Sequence, residues 1–173
     1  MTASLRIRNQ SSRKRLHRAD VLGRIAQRVC DGEGHHGDIE LSVLFCDDPL
    51  IADLNRRYRD TDAPTDVLAF AQQPVPGYNG PEILGDIVIS LESAERHCAH
   101  ASGTTPDPAA VRQEVRLLFC HGLLHLLGAE HATPRSREEM TEKQARYLGI
   151  AVEAAWRATP RASTGRPNSA GTT

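Results

Sequence analysis

The sequence predicts an α+β (mixed α/β) fold in a single domain, and three observations lead to this class. The chain has 173 residues, 39% hydrophobic and 25% charged, which is ordinary for one globular domain. Segments that alternate like strands are interspersed with segments that have the helical period. No apolar run approaches the ~18 residues of a membrane span. We expect residues 1–156 to form the domain and 157–173 to be a disordered tail rich in small and polar residues.

In the first half of the chain, the patterns predict two strands and two helices. Alternation of apolar and polar side chains predicts strands over 4–9 and 39–46. Apolar residues with helical spacing predict a helix over about 16–30. Asp48 and Pro49 predict the start of the second helix, because Asp is a common cap and Pro is favoured in the first turn.

The second half of the chain adds two more strands and a helical region. The strands are predicted over 66–70 and 83–90, and a loop rich in Pro and Gly separates them. Three helices follow, over 91–100, 109–127 and about 136–148. The second of these is the longest, and Gly128 follows it at a position where glycine commonly ends a helix.

Charge and cysteine content bear on partners and location. Residues 1–30 have eight Arg or Lys and one Asp, although the net charge of the chain is −1. This basic segment could contact a polyanion such as RNA, or it could be a solvated face. The N-terminus lacks the apolar region of a signal peptide, so we expect a cytoplasmic protein. The four cysteines form no C-x-x-C pair and are expected to be reduced and without a chemical role.

The segment HGLLHLLGAEH, residues 121–131, predicts a metal site. His121 and His125 are four residues apart on the predicted helix, so their imidazoles project from one face. Gly128 can adopt a left-handed backbone that turns the chain back and brings His131 to the same place. Three neutral imidazoles with an open fourth position are typical of a catalytic zinc site.

The histidine spacing is that of the metzincin proteases, H-E-x-x-H-x-x-G-x-x-H, with one change. Gly122 stands where the proteases have the glutamate that activates water, which argues against peptide hydrolysis by the usual route. Arg59 ends the predicted second helix and could stabilise the negative charge of a phosphoryl transition state. From the local sequence alone, Arg59 could equally be a surface residue beside an acidic loop.

Several motifs in order resemble the YbeY family, bacterial rRNA maturation factors described as metal-dependent endoribonucleases. The resemblance covers about residues 38–148. It rests on LNRRYRDTDAPTDVLAF, LGDIVIS, Glu114 with CHGLLHLLGAEH, and EEM followed by Gln144. The chain departs from the family at Ala129-Glu130, where Tyr-Asp is usual, and at Ala69, where Ser is usual. Neither change removes an expected ligand or Arg59.

The resemblance implies a mixed four-stranded sheet with the metal helix packed beneath it. It assigns metal binding to His121, His125 and His131, with one Zn²⁺ per chain as the expected cofactor, and a catalytic or RNA-contacting role to Arg59. It implies a single-strand-specific endoribonuclease that processes the 3′ end of 16S rRNA and acts in ribosome quality control. The implied partners are ribosomal RNA, the small ribosomal subunit, one of its proteins and the GTPase Era, with no membrane.

Three acidic residues and two other functions are also considered. Glu114 could orient a metal ligand or act in proton transfer, or it could form a surface ion pair. Glu130 could be an extra oxygen ligand, although we favour a residue that supports a ligand or is solvated. Asp86 lies in an apolar strand, where a carboxylate should have a partner; it could shape a cleft or bond a nearby turn, and we favour the turn. The alternatives to a nuclease are a metalloprotease-like peptidase, with Glu114 or Glu130 as the base, and a non-catalytic ribosome assembly factor with a structural metal.

Overall fold

Four strands and six helices make up the part of the chain that the structure describes. The computed structural model describes residues 2–156, so the tail predicted over 157–173 lies outside the described residues. The strands are β1 (Ala3–Asn9), β2 (Ile39–Cys46), β3 (Val67–Ala71) and β4 (Glu82–Ser90). The helices are α1 (Ala19–Gly32), α2 (Asp48–Arg59), α3 (Leu91–Ser102), α4 (Pro108–Leu126), α5 (Pro134–Leu148) and α6 (Val152–Trp156).

The strands form one mixed sheet in the order β1-β2-β4-β3. Strands β1, β2 and β4 are parallel, and β3 is an antiparallel edge strand that pairs with β4 from Val67 opposite Ile89 to Ala71 opposite Gly85. The predicted α+β class and the mixed four-stranded sheet are therefore confirmed.

The two faces of the sheet are covered unequally. On one face, α1 and α4 bury the alternating side chains Ile39, Leu41, Val43 and Phe45 of β2 in the larger core. On the other face, only α2 packs against the sheet, around Ile51. Alternation in β2 thus reflects one fully buried face and one partly covered face, and α4 lies beneath the sheet as the family resemblance implied.

Helix ends follow local capping chemistry. Helix α5 begins at Pro134, two residues before the predicted start, because Thr133 and Ser136 form a reciprocal capping box. It ends at Gly149, and the last segment to Trp156 is a separate short helix. No helix within residues 2–156 is both long and apolar enough to cross a membrane.

The cysteines have the environment expected from the sequence. All four are free, and Cys30, Cys46 and Cys120 are buried. Burial raises the pKa of each of these three thiols to about 12, so they are protonated at neutral pH and unsuited to nucleophilic or metal chemistry.

Part of the basic N-terminal segment is neutralised within the molecule. Arg13 contacts Asp47 at 3.0 Å and Glu95 at 2.6 Å. Arg18 and Arg24 both contact Asp20. The positive charge of these three side chains is therefore balanced locally, which favours a structural role for this part of the segment over phosphate binding.

The two acidic residues at the start of α2 do not cap the helix with their side chains, although the sequence predicts Asp48 as its cap. Asp48, the expected cap, accepts hydrogen bonds from Ser90 and Ser93 of the neighbouring chain segment. Asp47 occupies the cap position but its carboxylate accepts from Ser11 and the Ser12 backbone instead. These acids therefore tie separate chain segments together rather than capping α2.

We expect Asp47 to stabilise the fold in a pH-dependent way. Burial alone would raise its pKa, but the bonds from Ser11 and Ser12 and the charge of Arg13 lower it from 3.8 to about 2. A lowered pKa gives stability that is present above about pH 4 and is lost as the pH falls towards 2. Chemical denaturation should therefore find Asp47→Asn less stable than the parent at pH 7. The difference should vanish by about pH 2, and a difference constant with pH would contradict this role.

Candidate metal centre

The three histidines are brought together by the end of α4. His121 and His125 lie one turn apart on this helix, and Leu127 is its C-cap residue. Gly128 then has φ +87°, a left-handed backbone that favours glycine. The Gly128 N–H donates to the His125 carbonyl and the Ala129 N–H to the Leu124 carbonyl, which is the Schellman arrangement. This turn directs the chain back so that His131 faces the helix it has left.

The imidazoles converge closely enough to share one metal ion. The Nε2 atoms of His121 and His125 are 3.1 Å apart, and one ligand nitrogen from each of the three histidines lies within 4.8 Å of the others. Two nitrogens on a tetrahedral zinc at ~2.0–2.1 Å would be separated by about 3.3 Å. His121 is buried and the other two are partly exposed, so the group faces outward from the core. The residues present therefore fit a metal site with an open side.

The environment favours the neutral form of the ligands. Burial, and then the neighbouring His125, lower the pKa of His121 to about 3. Burial and His131 also lower the pKa of His125, although a hydrogen bond with the Ala129 backbone and the charge of Glu130 oppose this. Neutral imidazole is the form that binds a metal ion, so His121 and His125 need not lose a proton to bind one at neutral pH.

Gln144 fixes the orientation of His121. The Nδ1–H of His121 donates to the Gln144 Oε1 at 2.7 Å, which leaves Nε2 free for a metal ion. The Gln144 amide in turn donates to the Ala155 carbonyl at 3.3 Å, so its orientation is set by α6. Both His121 and Gln144 are buried.

Replacing Gln144 with Met, which is similar in length but lacks the acceptor, should weaken metal binding about 10- to 100-fold. The reason is that His121 would lose the bond that holds its ring and tautomer. Competition with a chromogenic chelator would measure the affinity. Gln27→Met is a matched control, because Gln27 bonds only Asp31 on the surface of α1. An affinity unchanged in Gln144→Met would show that the packing of α5 alone orients His121.

Gly122 allows α4 to lie close to the sheet. A Cβ at this position would approach Ile87 Cγ2 to 3.0 Å and Val67 Cγ2 to 3.4 Å. The position after His121 therefore faces β3 and β4, not the open side of the metal centre. A glutamate there would collide with the sheet, so this position could not present the carboxylate that activates water in the proteases.

Arg59 stands beside the histidines and is not paired with an acid. It is exposed at the end of α2, and its charge contributes to lowering the pKa of His121 and His125. Arg56 and Arg57 on the same helix both contact Asp53, whereas Arg59 has no ion pair among residues 2–156. A guanidinium that is close to the metal centre and unpaired is available to bind an anion there.

Asn55 holds the loop that follows Arg59. This buried side chain donates from Nδ2 to the Ala63 carbonyl at 2.8 Å, and the backbone carbonyl of Asn55 accepts from the Thr61 N–H. Asp60 ends α2 with φ +52°, a left-handed conformation in which Asn and Asp are tolerated better than most residues. The turn after Arg59 is thus fixed from within the fold.

The acidic residues singled out from the sequence lie in different places. Glu130 is close enough to influence the pKa of His125. Burial raises the pKa of Glu114, and the charges that act on it are those of His97 and Asp66, so its support of the ligands stays a prediction. Asp86 is exposed beside a groove on the sheet face of α2, which makes the expectation of a partnered carboxylate inside the strand wrong.

Sequence reasoning missed the functions of Gln144 and Asn55. Gln144 was noted only as part of the family motif. Its signal is that it shares the buried face of α5 with Met140 and Ala145, where a polar side chain needs a partner. Asn55 likewise shares the buried stripe of α2 with Ile51.

Comparison with known proteins identifies relatives over most of the chain. The family model described as Endoribonuclease YbeY matches residues 6–151. A protein named Endoribonuclease YbeY from Pelotomaculum thermopropionicum is 42% identical over 132 residues, which are 75% of this chain and 83% of that protein. Another of the same name from Salinispora tropica is 39% identical over 150 residues, 81% of this chain and 88% of that protein.

A solved structure is similar in fold. The solution structure of TM1509 from Thermotoga maritima matches with a TM-score of 0.52 and 25% sequence identity. The match covers 94% of this chain and 99% of that one. The similarity therefore extends over the sheet and the helices that carry the histidines.

Proposed function

The chain belongs to the YbeY family, and we propose that it cleaves single-stranded RNA at a metal ion held by His121, His125 and His131. As a member of this family it is an endoribonuclease, a hydrolase that acts in rRNA processing. The observation that carries the proposal is the convergence of three imidazoles near Arg59, which has no ion pair within residues 2–156. This arrangement suits a phosphodiester, which brings negative charge to a cationic site.

We assign zinc as the metal, one ion per chain, because three imidazoles and an open position suit it. A bound Zn²⁺ supplies Lewis acidity that can lower the pKa of water to about 7 and polarise a phosphoryl oxygen. This chemistry needs no strong carboxylate base, which agrees with Gly122. Imidazole ligation also suits nickel, copper and iron, so elemental analysis decides the metal.

Four side chains are proposed to act together with the metal ion. Arg59 would bind the non-bridging oxygens of the scissile phosphate and stabilise the charge that builds on them. Gln144 holds His121 in the tautomer that presents Nε2. Asn55 fixes the turn after Arg59 and so acts as a positioning residue. Glu130, beside His131, is proposed to support the ligands electrostatically, as its influence on His125 suggests.

The partners follow from the family and are proposed for this chain. They are the small ribosomal subunit with the 3′ region of 16S rRNA, one of its ribosomal proteins and the GTPase Era. The place of action is the cytoplasm, and the role includes ribosome quality control. Binding of the isolated small subunit, measured by co-sedimentation, would test the first of these.

A nuclease assay on metal-loaded and chelated protein tests the function. We expect metal-dependent cleavage within a single-stranded RNA, with little cleavage of the same RNA in a duplex. Casein is the parallel substrate, because the histidine spacing is shared with proteases. Cleavage of casein but not RNA would favour the peptidase, and cleavage of neither by fully loaded protein would favour an assembly factor with a structural metal.

A further inference from the structure

A groove lies next to the metal centre and is not used by the proposed chemistry. It has a volume of about 290 Å³, near the lower end of small-molecule sites at about 300 Å³. The loop between β3 and β4 forms one wall, the start of β4 the other, and Leu126 closes it on the side of α4. Leu126 is the last residue of α4 and directly follows His125, so the groove borders the helical turn that carries one of the three histidines.

The loop wall presents an aromatic ring from a well-defined turn. The Tyr78 N–H donates to the Val75 carbonyl at 3.1 Å, with Pro76 and Gly77 between them and φ +79° at Gly77. This is the pattern of a type II turn. The loop is also tied at its base, where the Gln72 N–H donates to a carbonyl of β4 at 3.0 Å. Tyr78 is nevertheless 50% exposed, as are Val75 at 56% and Ile83 at 41%.

The remaining lining is polar without free positive charge. Gln72 and Gln73 bring amides, each with a donor and an acceptor. The carboxylate of Glu82 lies 3.2 Å from His35 Nδ1, so it already has a partner. An apolar floor, an exposed aromatic ring and neutral amides match a nucleobase, which has two flat faces and a hydrogen-bonding edge.

We propose that this groove, lined by Gln72, Gln73, Val75, Tyr78, Ile83 and Leu126, binds one unpaired base of the RNA strand that is cut at the metal centre. The base stacks on Tyr78, and the glutamine amides contact its edge. The proposal rests on the proposed function, because it needs an RNA strand at the histidines. It also explains a preference for single strands, since a paired base cannot enter the groove.

The test combines an RNA series with Tyr78 variants in the metal-loaded full chain. The RNA is a short single strand in which each nucleotide in turn lacks its base. For the parent protein, removal of one base near the cleaved bond should lower kcat/KM by about 5-fold or more, which corresponds to the usual strength of base stacking. Tyr78→Ala should lose the same factor on intact RNA through KM, and it should no longer respond to removal of that base.

Two further variants separate stacking from other effects. Tyr78→Phe keeps the ring and should stay near the parent in kcat/KM and in its response to the missing base. Val152→Ala removes a comparably exposed apolar side chain on α6 and should change neither. Unfolding temperatures measured for all variants show whether the loop change disturbs the fold.

The outcomes distinguish this inference from the function it rests on. A parent protein that cleaves RNA but responds to no missing base overturns the base groove and leaves the nuclease intact. The same holds if Tyr78→Ala keeps the parent's kcat/KM and base response. Absence of RNA cleavage by the loaded parent overturns the proposed function itself.

Discussion

Arg59→Ala should lower the single-turnover rate of RNA cleavage about 100- to 1,000-fold, the usual effect of removing one electrostatic donor from a transition state. The metal content and the unfolding temperature should stay at the parent values. Arg59 is exposed and makes no ion pair within residues 2–156, so its removal breaks no structural contact of that kind. Its charge acts on His121 and His125, which is why we propose that it binds the phosphate.

The nature of the substitution should matter. Arg59→Lys keeps the positive charge but loses the planar fork that binds two oxygens at once, so it should restore only part of the rate. Arg57→Ala is a matched control, because Arg57 lies on the same helix, is similarly exposed and is already paired with Asp53 at 2.9 Å. Cleavage by Arg59→Ala at the parent rate, with metal retained, would remove Arg59 from the chemistry and shift attention to Glu130.

Much of the fold could be predicted because its signals are local. Strand β2 alternates cleanly, and its observed bounds equal the predicted ones. The longest helix was predicted within one residue at each end, because it has no internal Pro and a glycine follows it. The convergence of the three histidines could be predicted for the same reason, since helical spacing and one left-handed glycine determine where they meet.

The features that sequence reasoning missed depend on contacts between distant segments. Gln144 reaches His121 across 23 residues, and only the packing of α5 on α4 brings them together. Glu114 is two turns from His121 on the same helix, and the packing of α3 on α4 places it where the charge of His97 acts on it, which the sequence alone does not reveal. Asp86 is exposed because α2 covers only part of the sheet face, which the pattern of β4 cannot reveal.

His125→Ala should reduce the metal content from about one ion per chain to a small fraction of one. The substitution takes away one of three ligand nitrogens, and no other His, Cys, Asp or Glu within residues 2–156 completes a comparable group. RNA cleavage should fall at least as far as it does in Arg59→Ala, because the protein would lack the cation that is proposed to activate water and to polarise the phosphate. His125 suits this test better than His121, which is fully buried and bonded to Gln144.

Elemental analysis of untagged protein measures the metal content. The control is His100→Ala, since His100 is exposed on α3 and, within residues 2–156, its side chain bonds only the Arg96 carbonyl.

The stability of the protein gives an independent readout. Metal at 100 times its Kd should stabilise the parent by about 2.7 kcal/mol, so a chelator should lower the unfolding temperature of the parent and of His100→Ala. His125→Ala should not respond, because it has little metal to lose. An unchanged metal content in His125→Ala, with the parent's response to chelator, would place the ion elsewhere. The three imidazoles would then be a partly exposed polar cluster in which Gln144 holds His121, and the nuclease chemistry would need another centre.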